Sequence, residues 1–389
     1  MDLRRIPVRN QDVPSDPELV AALRSEIERD GPLTFARFME IALYDPARGY
    51  YRGADARPGR AGDFLTAPEA HPLFGRALAR LALAVHAAIG APGTFTIREH
   101  GAGTGALAAP LAAELLAAPN GPRAIRYVVA EVEPARVDAV RAAVDDAARV
   151  SVDPDDGAPI DGLVVANEVL DALPTHRVVQ RGDELREVLV GVEAGGRFFD
   201  IEAPPTTPAL AARLAAETIT LIDGQRAEIC VTVDGWVERA AAGLGHGVLL
   251  VIDYGDPATA LYDPRRRAAG TLATYLGHQA GDDPYRSIGR QDLTAHVDIT
   301  AVERAAAGAG LSALGSTTQA ALLSGLGSGE LLVAEQTRPG ATLQTYLEAR
   351  SALVRMIDPG AMGRFRALAF GRGIPSDVTL PGFEAGPTN

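Results

Sequence analysis

The chain has 389 residues, 37 basic against 50 acidic, and a formal net charge of −13. Folding at this length buries roughly three quarters of the extended surface, which suits one core with sizeable insertions or two domains. The acidic balance excludes a general nucleic-acid binder, whose affinity rests on positive surface, and favours a cationic substrate or partner. Every basic residue is arginine, a compositional bias without mechanistic weight.

The opening stretch MDLRRIPVRNQDVPSD has no apolar h-region, and no apolar run of about 18 residues occurs anywhere. Neither a signal peptide nor an integral membrane segment is expected, and a cytoplasmic location is. Ser15 with Glu18 three residues later predicts a capping box for a first helix ending at Gly31. A second helix starts at Thr34, with Phe35, Phe38, Met39, Ala42 and Leu43 at helical spacing, and stops before Asp45-Pro46. The Gly- and Pro-dense YYRGADARPGRAGDFLTAPEA reads as a long functional loop before a helix from about Pro72 to Ile89.

From Thr94 the rhythm becomes strand, turn, helix: TFTIREH and LAAPLAAELLAA, then IRYVVAEV and PARVDAVRAAVDDAA, then IDGLVVANEVL. Apolar strands alternating with amphipathic helices predict an α/β fold, a doubly wound and mostly parallel sheet. Between His176 and Ala203, polar and apolar residues alternate around RGD and AGG turns, an antiparallel insertion. The core resumes with AEICVTV, where Cys230 is read as a buried strand residue, then DGWVERAAAGLG and the strand GVLLVIDYG. One cysteine excludes an internal disulfide and a thiolate cluster. Helices follow at VDITAVERAAAGAG and ATLQTYLEARSALVRMI, and FRALAFGRG closes the sheet. The expected division is residues 1–90 as a helical and lid region, 91–175 as the first part of the core, 176–225 as the insertion and 226–389 as the remainder.

The chemistry centres on IREHGAGTGAL, Ile97 to Leu107. A glycine turn after the first core strand marks the ligand crevice of an open α/β sheet, with Gly101 and Gly103 allowing close backbone approach and Gly105 tight packing. Its spacing is E-x-G-x-G-x-G, not the G-x-G-x-x-G of a dinucleotide site, and with no lysine a P-loop is excluded. The second strand ends at Glu131, where an acid can accept both hydroxyls of an adenosyl ribose; Glu133 fits a helix-start role better. Glu99 beside the turn favours the cationic S-adenosylmethionine over a pyrophosphate ligand. In ANEVLDALP, Asn167 and Glu168 face the same crevice.

These residues resemble the MidA family of S-adenosylmethionine-dependent methyltransferases, bacterial relatives of a mitochondrial complex I assembly methyltransferase. The blocks FARFMEIALYDPARGYY, GDFLTAPE, the glycine turn, ANEVLDALP, VIDYG and GRQDLTAHVDITAV follow in family order over most of the chain. The resemblance implies a class I, Rossmann-like core, S-adenosyl-L-methionine as cofactor, and methylation of an arginine on a complex I subunit. It carries the cofactor role onto Gly101, Gly103, Gly105 and Glu131, and onto Asp153, Asn167 and Glu168. Where the family turn reads like GPGRG, this chain has Gly101-Ala102-Gly103-Thr104-Gly105, losing a Pro and an Arg.

Arginine stays protonated, so carboxylates must hold the guanidinium and draw its charge from the attacking nitrogen. Glu168 and Asp171 would share a face if that segment starts a helix, and Asp253 in VIDYG lies at a strand end, with Tyr254 able to stack on a planar group. His296 and Asp298 form a candidate base and orienting acid, against a reading in which Asp298 only caps the next helix. Asp63, Thr66 and Glu69, with Tyr50 and Tyr51, belong to a loop that could cover the cofactor. A protein substrate is the first expectation. A small-molecule O-methyltransferase using His296 or His176 as base, or a cofactor-binding assembly chaperone without turnover, are the alternatives. The seven histidines show no metal-ligand spacing, and pairing into a homodimer is left open.

Overall fold

The computed structural model describes residues 13–52, 65–146, 148–375 and 377–383. Asp16, not Ser15, caps the first helix, Pro17–Asp30, accepting from the Glu18 and Leu19 amides at 3.1 Å. Proline suits the first helical position, which moves the cap next to it, and Ser15 Oγ instead accepts from the Ile288 amide. Gly31, at φ +88°, ends that helix as expected. The helix Phe35–Tyr44 starts from a Thr34 cap and stops at Asp45. After the short helix Ala67–Ala70, the long helix is Leu73–Ala88.

The central sheet has seven strands in the order Ser312–Thr318, Arg366–Arg372, Leu244–Asp253, Ile160–Asn167, Thr94–His100, Ala124–Ala130, Val150–Pro154. From Leu244–Asp253 onward the neighbours are parallel, and Arg366–Arg372 runs antiparallel to both of its own neighbours. Alternate residues of one strand feed opposite cores. Leu163 and Val165 pack with Phe74, Leu78, Leu111 and Leu353, whereas Val164 and Ala166 pack with Val237, Ala240 and Val302. This two-sided burial is what the unbroken apolar strand runs encode. Residues 155–159 connect Val150–Pro154 directly to Ile160–Asn167, so this crossover carries no helix.

The insertion forms its own antiparallel sheet from His176–Arg181, Glu184–Val192 and Phe198–Ala203. The expected boundary at 225 cuts into this unit, because Arg226–Ile229 pairs with His176–Arg181 and Leu33–Thr34 pairs with Glu184–Val192. Strand edges need partners, and here both ends come from outside the insertion. Cys230 lies one residue past Arg226–Ile229 and is half-buried rather than a buried strand residue. A three-stranded sheet of Ala273–Leu276, Gln279–Gly281 and Asp292–Thr294 was not anticipated.

The N-terminal helices share a core with the insertion. Leu23, Phe35, Phe38 and Met39 pack with Val190, Phe198, Ile288, Leu293 and Ala172, which lays the Phe35–Tyr44 helix over the segment after Asn167. Phe38 is fully buried, with ring centroids 6.1 Å from Phe198 and 5.3 Å from Tyr285. Phe38→Ala should lower stability by about 3–5 kcal/mol in urea unfolding, and a loss below 1 kcal/mol would show this seam to be loosely packed.

Candidate functional site

The carboxyl ends of the parallel strands open into a cavity of about 1190 Å³, lined among others by Tyr44, Tyr51, Thr66, Glu69, residues 98–104, Glu131, Asn167, Glu168 and Trp236. This exceeds the roughly 300–1,000 Å³ of single small-molecule pockets, leaving room for two reactants. Among the described residues, no group of three His, Cys, Asp or Glu side chains could hold a metal ion.

Gly101, Gly103 and Gly105 have φ values of +69°, +54° and +81°, a left-handed run that glycine alone adopts without strain. A Cβ on Gly101 would come within 2.9 Å of Val169, and one on Gly105 within 2.9 Å of Ala143 in the helix Ala135–Ala143. Glu131 Oε1 accepts from the Gly103 amide at 2.6 Å, so the acid after the second core strand is locked onto the turn. Burial raises its carboxyl, opposed by that amide. Glu133 turns away to Arg52, 3.8 Å distant.

Glu99 lines the cavity but accepts from Tyr127 Oη at 2.5 Å, and burial lifts its carboxyl to about 8. At neutral pH it is mostly neutral, so it does not supply the charge selection expected of it. Asp153 points elsewhere: it pairs with Arg126 at 3.2 Å, while its neighbours Pro154 and Asp155 line the cavity. Alternate residues of a strand face opposite ways, which places Pro154 rather than Asp153 on the wall, while Asp155 lies past the strand end. Thr66 lines the cavity ahead of Ala67–Ala70; Asp63 lies outside the described residues.

The segment 168–171 is a turn, not the start of a helix. Asp253, fully buried, accepts from the Val169 and Leu170 amides at 3.0 and 2.7 Å through Oδ2, and from Tyr254 at 2.7 Å through Oδ1. It holds the turn and does not line the cavity. The constraint leaves Glu168 at φ +55°, a strained value for a non-glycine residue. Its carboxylate enters the cavity, Oε1 accepting from the Ala67 amide at 3.1 Å and from Asn167 Nδ2 at 3.0 Å. Burial pushes it up to about 8, with Asp253 adding to the rise. Asp171 sits behind it rather than on the cavity wall, its carboxyl pushed well up by burial and by Asp253, Asp292 and Glu168. Among the described residues, no arginine pairs with Glu168, Asp171 or Asp253.

Tyr44 and Tyr51 stack with ring centroids 5.5 Å apart above this acid cluster. Tyr44 Oη donates to the Ala172 carbonyl and Tyr51 Oη to Asp292 Oδ1, both at 2.9 Å. Asp292 went unassigned in the sequence, although its block RQDL was legible, because only the small antiparallel sheet brings it beneath Tyr51.

The histidine candidates do not converge on the cavity. Asp298 caps Ile299–Gly308, accepting from Ala301 at 3.0 Å, and His296 packs on Tyr254 at 3.8 Å between ring centroids, with Asp256 3.7 Å away. The expected His296–Asp298 dyad is therefore absent. Tyr254 offers no face to a ligand there, since the Arg364 guanidinium lies 4.4 Å over its ring. His176 bonds Glu187 at 2.7 Å inside the insertion. His100 does line the cavity against Trp236, and burial lowers its pKa to about 4.

A family model described as S-adenosyl-L-methionine-dependent methyltransferase matches residues 77–317. The mitochondrial protein arginine methyltransferase NDUFAF7 of Danio rerio is 28% identical over 337 residues, 78% of this chain and 75% of the relative. That of Homo sapiens is 26% identical over 336 residues, 78% and 72% of the two chains. A crystal structure of a protein from Burkholderia thailandensis bound to S-adenosyl-homocysteine, 36% identical, matches with a TM-score of 0.85 over 95% of each chain. The MidA resemblance and the class I core are thereby borne out, and among the described residues no helix is long and apolar enough to cross a membrane. The chain belongs to this family of S-adenosyl-L-methionine-dependent methyltransferases.

Proposed function

We propose that this methyltransferase acts on a protein arginine, with the adenosyl group over Gly101–Gly105, its ribose hydroxyls at Glu131, and the acceptor guanidinium at Glu168. The residues present fit such a cofactor: a turn with glycine at three of its five positions and a carboxylate fixed beside it. The observation that carries the acceptor side is Glu168 itself. A carboxylate held in strained backbone, oriented by two N–H donors and paired with no arginine among the described residues, is an incomplete ion-pair site. The relatives named protein arginine methyltransferases support the same acceptor, and the MidA resemblance makes a complex I subunit the first protein to try.

The cofactor supplies a methyl group on a sulfonium. Glu168 aligns one guanidinium nitrogen with it, and correct alignment accounts for up to ~7–11 kcal/mol of a barrier. As the N–C bond forms and the C–S bond breaks, the nitrogen sheds a proton, which Glu168 is placed to receive. A bound guanidinium would favour the ionised form of Asp171 behind Glu168, and Asp253 keeps the turn in place. The O-methylation alternative loses its two named bases, because neither His296 nor His176 lines the cavity.

Glu168→Gln and Asp171→Asn should lower kcat by about 10²–10⁴-fold while leaving the Kd for S-adenosyl-homocysteine within about threefold. Labelled methyl donor, lysate from a strain lacking the gene, and mass spectrometry read this directly; label only in a metabolite would overturn the arginine assignment, and none at all would favour the chaperone. The ionised form of Glu168 grips the guanidinium, so kcat/KM for the acceptor should rise as pH climbs through about 8. Glu168→Gln should abolish that limb of the profile, and an unchanged limb would place the titrating group elsewhere.

A further inference from the structure

Glu69 has no part in the scheme above, yet it is the acid that the N-terminal segment brings to the glycine turn. It sits in Ala67–Ala70, the short helix whose first amide is bonded to Glu168. Its Oε1 accepts from Thr104 Oγ1 at 3.3 Å, while its Oε2 is buried without a hydrogen-bond partner among the described residues. The charged groups facing it are Arg136, from Ala135–Ala143, and Glu168, from the end of the fourth core strand. Burial still holds its carboxyl up to about 7.

We propose that Glu69 is the counter-ion for the α-ammonium of the cofactor's amino-acid tail. The proposal rests on the ribose placement at Glu131. A molecule whose ribose lies at Glu131 and whose methyl lies near Glu168 has to direct its third arm, the tail, along the remaining wall. That wall carries Thr104 and Glu69. An ammonium brings three donors and a positive charge, which meets an orphaned carboxylate oxygen and makes its ionised form the favoured one.

Calorimetry on the full chain tests this with three probes: S-adenosyl-homocysteine, its desamino analogue, which keeps the carboxylate, and methylthioadenosine, which has no tail. The unmodified protein should bind S-adenosyl-homocysteine at least tenfold more tightly than the desamino analogue. In Glu69→Gln, which preserves shape and the Thr104 contact, that preference should fall below threefold, with methylthioadenosine affinity unchanged. Equal weakening of all three probes would make Glu69 a structural support of the turn and overturn the proposal, as would an unaltered preference. Failure of all three probes to bind the unmodified protein would overturn the ribose placement itself, a result distinguishable from loss of the ammonium contact alone.

Discussion

The buried Asp253 carboxylate is the constraint on which the site depends. It ends the Leu244–Asp253 strand and takes the amides of the neighbouring strand's exit turn, so that two parallel strands are joined at the edge where ligands bind. A carboxylate accepting several backbone N–H groups is strongly held, and these amides oppose the burial that raises its carboxyl to about 7. Removing it would leave amides unsatisfied inside the protein, a cost well above that of an ordinary surface hydrogen bond. More to the point, the turn would be released from the geometry that sends Glu168 inward.

The same logic organises the wall opposite. Glu168 is not merely presented by its own strand; it accepts the Ala67 amide at the start of the short helix bearing Glu69. Tyr44 and Tyr51 reach the segment after Asn167 and Asp292 respectively. Three distant parts of the chain are thus tied to one acid cluster through polar contacts, while Phe38, Phe198 and Tyr285 fix their separation by packing. Packing supplies the rigidity, and the hydrogen bonds set direction, the division of labour that preorganised sites require.

Much of the fold was legible because its signals are local. Runs such as LVVA, apolar on both faces, admit few structures other than a buried parallel strand, and the glycine turn and Glu131 follow from where such strands end. What failed to read out was set by relations across the chain. Pro17 decided between Ser15 and Asp16 within one residue, and strand alternation exchanged Asp153 for its neighbours in the cavity wall. The shared face that a helix start would have given Glu168 and Asp171 does not arise, because a side chain more than eighty positions later claims the amides of that segment. Asp292 required the pairing of Asp292–Thr294 with Ala273–Leu276, and no periodicity announces that.

The placement of Arg366–Arg372 between Leu244–Asp253 and Ser312–Thr318 has a bearing on biosynthesis. During translation the two outer members emerge first, and each keeps a bare edge until the final segment leaves the ribosome. Completion of the sheet depends on contacts far apart in sequence, such as Leu250 with Ala369, which slows folding. Nascent chains would carry the open edge of Leu244–Asp253 until Arg366–Arg372 is made, the state in which intermediates associate wrongly.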